Sequence, residues 1–130
     1  IFGDGPLFKI FKQKYKKKNI KFHGWVKKEK IYKITNVIVI TSPINNFPYV
    51  ALEAKSYAIP VVSCSKGDIK KIVINNIDGY LDYTNSVKKM VYLIKKIKKN
   101  YNKFSRNSLI RSKNFDLNNS CKKFWNSVYD

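Results

Sequence analysis

The chain has 130 residues, with 27 Lys and Arg against 8 Asp and Glu, and a formal net charge of +19. A hydrophobic fraction of 44%, with 15% aromatic, supports a packed core and excludes a disordered polycation. No apolar run approaches a membrane-spanning length, and two distant cysteines (Cys64, Cys121) with one histidine (His23) exclude a disulfide scaffold and an ordinary zinc site.

Ile1 and Phe2 read as the end of a strand entering the turn Gly3-Asp4-Gly5-Pro6. Pro6 suits a first helical position, where its missing N–H costs nothing. Leu7, Phe8, Phe11 and Tyr15 then recur at helical spacing. Ile20, Lys21 and Phe22 predict a short strand stopped by Gly24, and a short helix fits Lys28 to Ile34. The run Val37 to Ile40 is apolar on both faces, as in a buried parallel strand. A polar loop over Thr41 to Asn46 leads to a helix from Pro48 to Tyr57, and Pro60 to Ser63 predicts a second buried strand. A short helix fits Asp68 to Ile74. Asn75 to Gly79 carries turn chemistry, strongest at Asp78-Gly79, before a last short strand over Tyr80 to Tyr83. Val87, Met90, Val91, Ile94 and Ile97 give the clearest amphipathic helix. Tyr101 to Tyr129 reads as two further helical pieces joined near Asp116. Strands alternating with helices predict an α/β fold with a parallel sheet between helical layers, in one domain. The pattern leaves strand order open.

The charge invites a nucleic-acid reading, which the composition weakens. Only Arg106 and Arg111 are arginines, and the guanidinium fork is what reads bases and phosphates. Abundant Lys, Asn and Ile fit drift in an AT-rich genome, and a solvated lysine surface is the simplest reading. No specific nucleic-acid partner is expected. An anionic membrane surface is the better candidate, through Lys14, Lys16, Lys17 and Lys18, or Lys95, Lys96, Lys98 and Lys99. The start shows no secretory signal, and the expected setting is cytoplasmic and reducing.

In a parallel α/β sheet, ligands bind beyond the carboxyl ends of the strands. Three segments belong there: Gly3-Asp4-Gly5, His23-Gly24-Trp25-Val26, and Thr41 to Phe47. The third precedes the helix whose first turn holds Pro48, Tyr49 and Val50. Free N–H groups and the positive dipole end at that point suit a phosphate. Glu53, further along the helix, has the chemistry to accept hydrogen bonds from ribose hydroxyls. The same residues also fit an ordinary loop and a surface glutamate. His23 reads as structural beside its glycine turn, and Cys64 as a buried thiol without a histidine partner nearby in sequence. Trp25 fits either a lid over a nucleotide or a closure of the core.

Gly3-Asp4-Gly5-Pro6, Phe22-His23-Gly24, the run from Phe47 through Glu53 to Ala54, Ile59-Pro60-Val61-Val62, and Asp78-Gly79 occur in that order. Together, over residues 1–95, they resemble the C-terminal, donor-binding half of a GT-B glycosyltransferase of retaining family 4 (group 1). The His-Gly-Trp and Ser-Tyr-Ala-Ile-Pro stretches look most like lipopolysaccharide or O-antigen sugar transferases. The resemblance implies a Rossmann-like donor domain over residues 1–100, lacking its first strand, with a helical extension over residues 101–130. It implies a nucleotide-diphosphate sugar, UDP-linked, as substrate, with no metal or other cofactor. Glu53 matches the glutamate that binds the donor ribose. Asn45 stands where a first glutamate contacts the donor sugar and reacting centre. Phe47, Tyr49 and Val50 match backbone contacts to sugar and diphosphate, and Val26 a contact to the base. Gly5 and Gly24 belong to the turns around the donor.

Four departures accompany the resemblance. Asn45 lacks the negative charge. Ala58 replaces a helix-ending glycine, at a cost of about 1 kcal/mol if it adopts the left-handed cap. Lys71 replaces a glutamate. The Arg- and Lys-bearing segment that grips the diphosphate lies upstream of Gly3, outside this sequence, as does the acceptor-binding half. The expectation is one wall of an active-site cleft, completed by an acceptor half in cis or in trans, at the inner face of a membrane. Read this way the chain is expected to be a fragment or remnant without independent turnover. The alternative is a non-enzymatic module that binds a nucleotide, a partner or an anionic surface.

Overall fold

Val61, Val62 and Ser63 form the central strand, β3, and are buried on both faces. β-Branched side chains without polar alternation favour this doubly covered position. The computed structural model describes residues 1–16 and 19–129; Lys17 and Lys18 of the first lysine cluster lie outside the described residues. The chain divides into two compact units, Ile1–Ile34 and Thr35–Asp130.

In the first unit, helix α1 spans Phe8–Lys14 and α2 spans Lys28–Lys33. The Phe8 N–H bonds to the Gly5 carbonyl at 2.8 Å, so Pro6 lies in the turn before the helix and not at its first position. The two expected strands reduce to a short pairing. The Ile1 ammonium donates to the Lys21 carbonyl at 2.7 Å, and the Ile1 carbonyl accepts from the His23 N–H at 2.9 Å. One residue straddling another in this way is the parallel hydrogen-bond pattern. An antiparallel bridge between Gly3 and Gly24 ends it. Both glycines have positive φ, +113° and +68°, which turns the chain out of register.

In the second unit, β1 (Ile38–Ile40), β3 and β5 (Gly79–Leu81) form a parallel sheet in the order β1-β3-β5. Val61 pairs with Ile38 on one side and Gly79 on the other. β1 is an outer strand of the three, and Val39 is 42% exposed. The expected burial of both faces of this strand therefore fails at that residue. The segment Thr41 to Asn46 is not wholly a loop. Ile44–Asn45 form β2, which pairs in parallel with β4, Lys66–Gly67.

Helix α3 (Tyr49–Ser56) and helix α5 (Val87–Lys99) both pack on β3. α5 starts at an N-cap, Ser86, whose side chain accepts from the Lys89 N–H. Its buried stripe of Met90, Leu93 and Ile97 meets Val62, Cys64 and Tyr80 in the core. α4 is a single turn, Ile69–Ile72, with both isoleucines fully buried. α6 (Tyr101–Ser112) packs against α3 and α5, and Phe104 tilts against Tyr80. A 3-10 turn, Lys113–Phe115, joins it to α7, Leu117–Tyr129. Among the described residues no helix is long and apolar enough to cross a membrane.

The end of α3 is a Schellman turn. The Ile59 N–H bonds to the Ala54 carbonyl at 2.9 Å, and the Ala58 N–H to the Lys55 carbonyl at 2.9 Å. Ala58 sits at φ +60°, where its Cβ crowds the backbone. Ala58→Gly is therefore expected to stabilise the fold by about 1 kcal/mol. A urea midpoint at or below that of the parent would contradict this.

Candidate functional site

Asn45, Phe47, Tyr49, Val50 and Glu53 fall on one continuous segment running from β2 into α3. Pro48, the N-cap, is buried and fixes the entry of the chain. Among the described residues no side chain caps the helix, and its first turn holds no acidic residue. The Ala51 N–H bonds to the Pro48 carbonyl, so Tyr49 and Val50 carry the amides with no partner inside the helix. Both residues are exposed, Tyr49 at 74%. Phe47 has φ +55°, an outlying conformation for a bulky residue, and its ring meets Tyr49 and Phe115 edge-on. The left-handed residue turns the chain from β2 into α3.

Asn45 is half-buried, and its side-chain amide donates to the Ser65 hydroxyl at 3.0 Å. Ser65 in turn bonds the Ser42 carbonyl. The residue is thus tied into the β2–β4 pair. Opposite it stands Gly67, at φ +98°, where a Cβ would lie 2.8 Å from the Asn45 carbonyl oxygen.

Glu53 is half-buried and lines a cleft of about 560 Å³ beside α3. Ser112, Lys113, Phe115, Asp116 and Asn119 close its far side. These residues come from the end of α6, the 3-10 turn and the start of α7, and gave no signal in sequence beyond a break in the helical pattern near Asp116. Lys113 places a cation in a cleft that already holds two carboxylates.

Gly5, Gly24 and Val26 belong to the first unit. Gly5 accepts the first bond of α1, Gly24 bridges Gly3, and Val26 is half-buried. His23 stacks on Phe2 with ring centroids 4.9 Å apart. Trp25 is 71% exposed and closes no core. Cys64 is buried, and its thiol donates to the Thr41 carbonyl.

Behind the cleft lies a buried charge cluster that the local sequence did not announce. Lys55 and Asp78 are fully buried, and the Lys55 ammonium donates to Asp78 Oδ2 at 2.7 Å and to the Ile72 carbonyl. The Phe115 ring covers the ammonium. Arg111 donates to the same carboxylate oxygen at 2.8 Å, and the Ile74 N–H to Oδ1 at 2.8 Å. From α6, Ser108 and Asn107 hold the carbonyls of Asp78 and Ile77. Burial pushes the Lys55 pKa down; the bond to Asp78 and its charge oppose that, and the Arg111 charge adds to it. A second buried carboxylate, Asp82, is held below its usual range chiefly by the hydrogen bond from Lys89, helped by Thr84.

Solved structures share this fold. Anabaena HepE in complex with UDP superposes with a TM-score of 0.78 at 18% identity, covering 95% of this chain and 35% of that one. Sucrose-phosphate synthase from Thermosynechococcus elongatus gives 0.79 at 20% identity, covering 98% and 37%. The pneumococcal O-GlcNAc transferase GtfA in complex with UDP and GlcNAc gives 0.76 at 17%, covering 99% and 28%. This chain spans roughly a third of the length of each. No curated protein matches it in sequence. The architecture is the Rossmann-like, C-terminal half of a GT-B fold with added C-terminal helices. Residues 1–113 match the family model for glycosyl transferases group 1, and the chain belongs to that family.

Proposed function

We propose that this chain is the donor-binding half of a retaining glycosyltransferase of family 4, which uses a nucleotide-diphosphate sugar to build a cell-surface polysaccharide or lipopolysaccharide. The observation that carries the reading is the uncapped start of α3, directly after β2, with Glu53 on the same helix lining a cleft. The Tyr49 and Val50 amides and the helix dipole suit the diphosphate. The Glu53 carboxylate suits the ribose hydroxyls, with Phe47 holding the turn from β2 into α3. Gly5, Gly24 and Val26 are proposed as donor contacts on the family resemblance alone. UDP is the favoured nucleotide, since two of the similar structures hold it. No metal or other cofactor is invoked. The acceptor is lipid-linked and presented by a second half, in cis or in trans, at the cytoplasmic face of a membrane.

Asn45 favours a second reading of the same site. It carries no charge, and its amide is committed to Ser65. Without a carboxylate there, a cationic, sugar-like transition state loses stabilisation that elsewhere amounts to orders of magnitude in rate. Donor binding without independent turnover is consistent with that chemistry.

Titration of UDP into the parent chain and into Glu53→Ala tests the donor site. Weak binding is expected in the parent, with at least a ~ten-fold loss in the variant, as for the loss of a charge-assisted hydrogen bond. Affinity indifferent to Glu53 yet abolished by salt would instead mean nonspecific polyanion binding.

A further inference from the structure

Between Asp82 and Asp116 the sequence holds ten basic residues and no acidic one. This stretch, which includes α5 and α6, carries more than half of the net charge of +19. On α5 the lysines have different environments. Lys89 turns toward Asp82 at 2.9 Å, and Lys96 lies over the rings of Tyr80 and Tyr92. Lys88, Lys95, Lys98 and Lys99 are exposed, and among the described residues none of them has a carboxylate partner. At helical spacing these four share one arc with Val91 and Tyr92, which are 45% and 58% exposed. The opposite arc, with Met90, Leu93 and Ile97, is the one packed in the core. α5 is therefore amphipathic twice over, with an inner apolar stripe and an outer face that mixes cations with apolar side chains.

We infer that this outer face of α5 docks the protein on an anionic lipid surface. Four unpaired ammonium groups complement acidic headgroups, and their stems let Val91 and the Tyr92 ring settle at the headgroup level. A face built for nucleic acid has less use for an exposed valine between lysines, and the stretch supplies none of its arginines from this arc. The inference does not depend on the donor-site reading, because no residue of the arc lines the Glu53 cleft.

The test is co-sedimentation of the full chain with vesicles of phosphatidylcholine alone and of phosphatidylcholine mixed equally with phosphatidylglycerol. Binding is expected only to the mixed vesicles, and to weaken as salt is raised. Lys95→Gln with Lys99→Gln is expected to lower the partition coefficient by more than ~ten-fold, since each lysine contributes about five-fold. The charge-matched pair Lys66→Gln with Lys70→Gln is expected to lower it by less than about three-fold, acting only through net charge. Val91→Ser with Tyr92→Ser is expected to remove the binding that persists at high salt. All three variants change exposed side chains, and circular dichroism checks that they fold. Equal losses for the two lysine pairs would overturn the inference, because net charge alone would then suffice. So would binding to neutral vesicles, no binding at low salt, indifference to Val91 and Tyr92, or displacement by RNA at matched charge.

Discussion

Asp78→Ala is expected to destabilise the fold by about 3–5 kcal/mol, a large part of what a domain of this size possesses. The carboxylate is fully buried and accepts from Lys55, Arg111 and the Ile74 amide. Removing it strands the Lys55 ammonium with one carbonyl and one ring face. Asp78→Asn keeps the volume but not the charge, and is expected to recover only a minor part of the loss. Lys55→Met should be milder, because Arg111, which reaches solvent, remains to neutralise Asp78. Urea unfolding of the three variants measures this order. An Asp78→Asn midpoint equal to that of the parent would show that the cluster is electrostatically idle. A Lys55→Met loss larger than that of Asp78→Ala would reverse the assignment of Asp78 as its centre.

Gly79→Ala is expected to be at least as damaging, at more than about 4 kcal/mol or with no soluble fold at all. A Cβ at this position would lie 2.1 Å from the Val61 carbonyl oxygen and 2.8 Å from a Val73 methyl group. Val61 is the residue opposite Gly79 in the parallel register, so the obstruction is backbone in the central strand. A flexible side chain could turn aside, but β3 is buried on both faces and cannot. The requirement is for space and not for φ, which is not in the left-handed region at this glycine. Soluble yield and the urea midpoint report the effect, and near-parental values for both would refute the steric argument.

The fold was readable where the cause is local. α5 follows from its apolar period and α3 from Pro48 and the residues after it. β3 follows from its β-branched run. The positive φ of Ala58 matches a position where a glycine was expected. What escaped is non-local. Val39 belongs to an apolar run, but its exposure is set by β1 being an outer strand. The β2–β4 pair is two residues long on each side, too short for any alternation. Asp78-Gly79 did mark a turn. That the aspartate is buried depends on Lys55 and Arg111, whose placement the turn chemistry does not encode. Likewise Glu53 was identifiable on its helix, whereas the wall facing it comes from the end of α6, the 3-10 turn and the start of α7, far along the chain.

The anchors of α3 are unevenly placed. Lys55 and the Schellman turn clamp its C-terminal end, while its first turn has no cap and exposes Tyr49 and Val50. The tail of the helix is thus satisfied from within the fold, while its head offers backbone donors that the helix itself does not use. A molecule that accepts from the leading amides completes the helix without displacing a bond the fold already holds. A ligand reaching Glu53 alone would leave those donors to water. Selectivity at such a helix then rests less on the shape of a pocket than on whether one molecule spans both Glu53 and the leading amides.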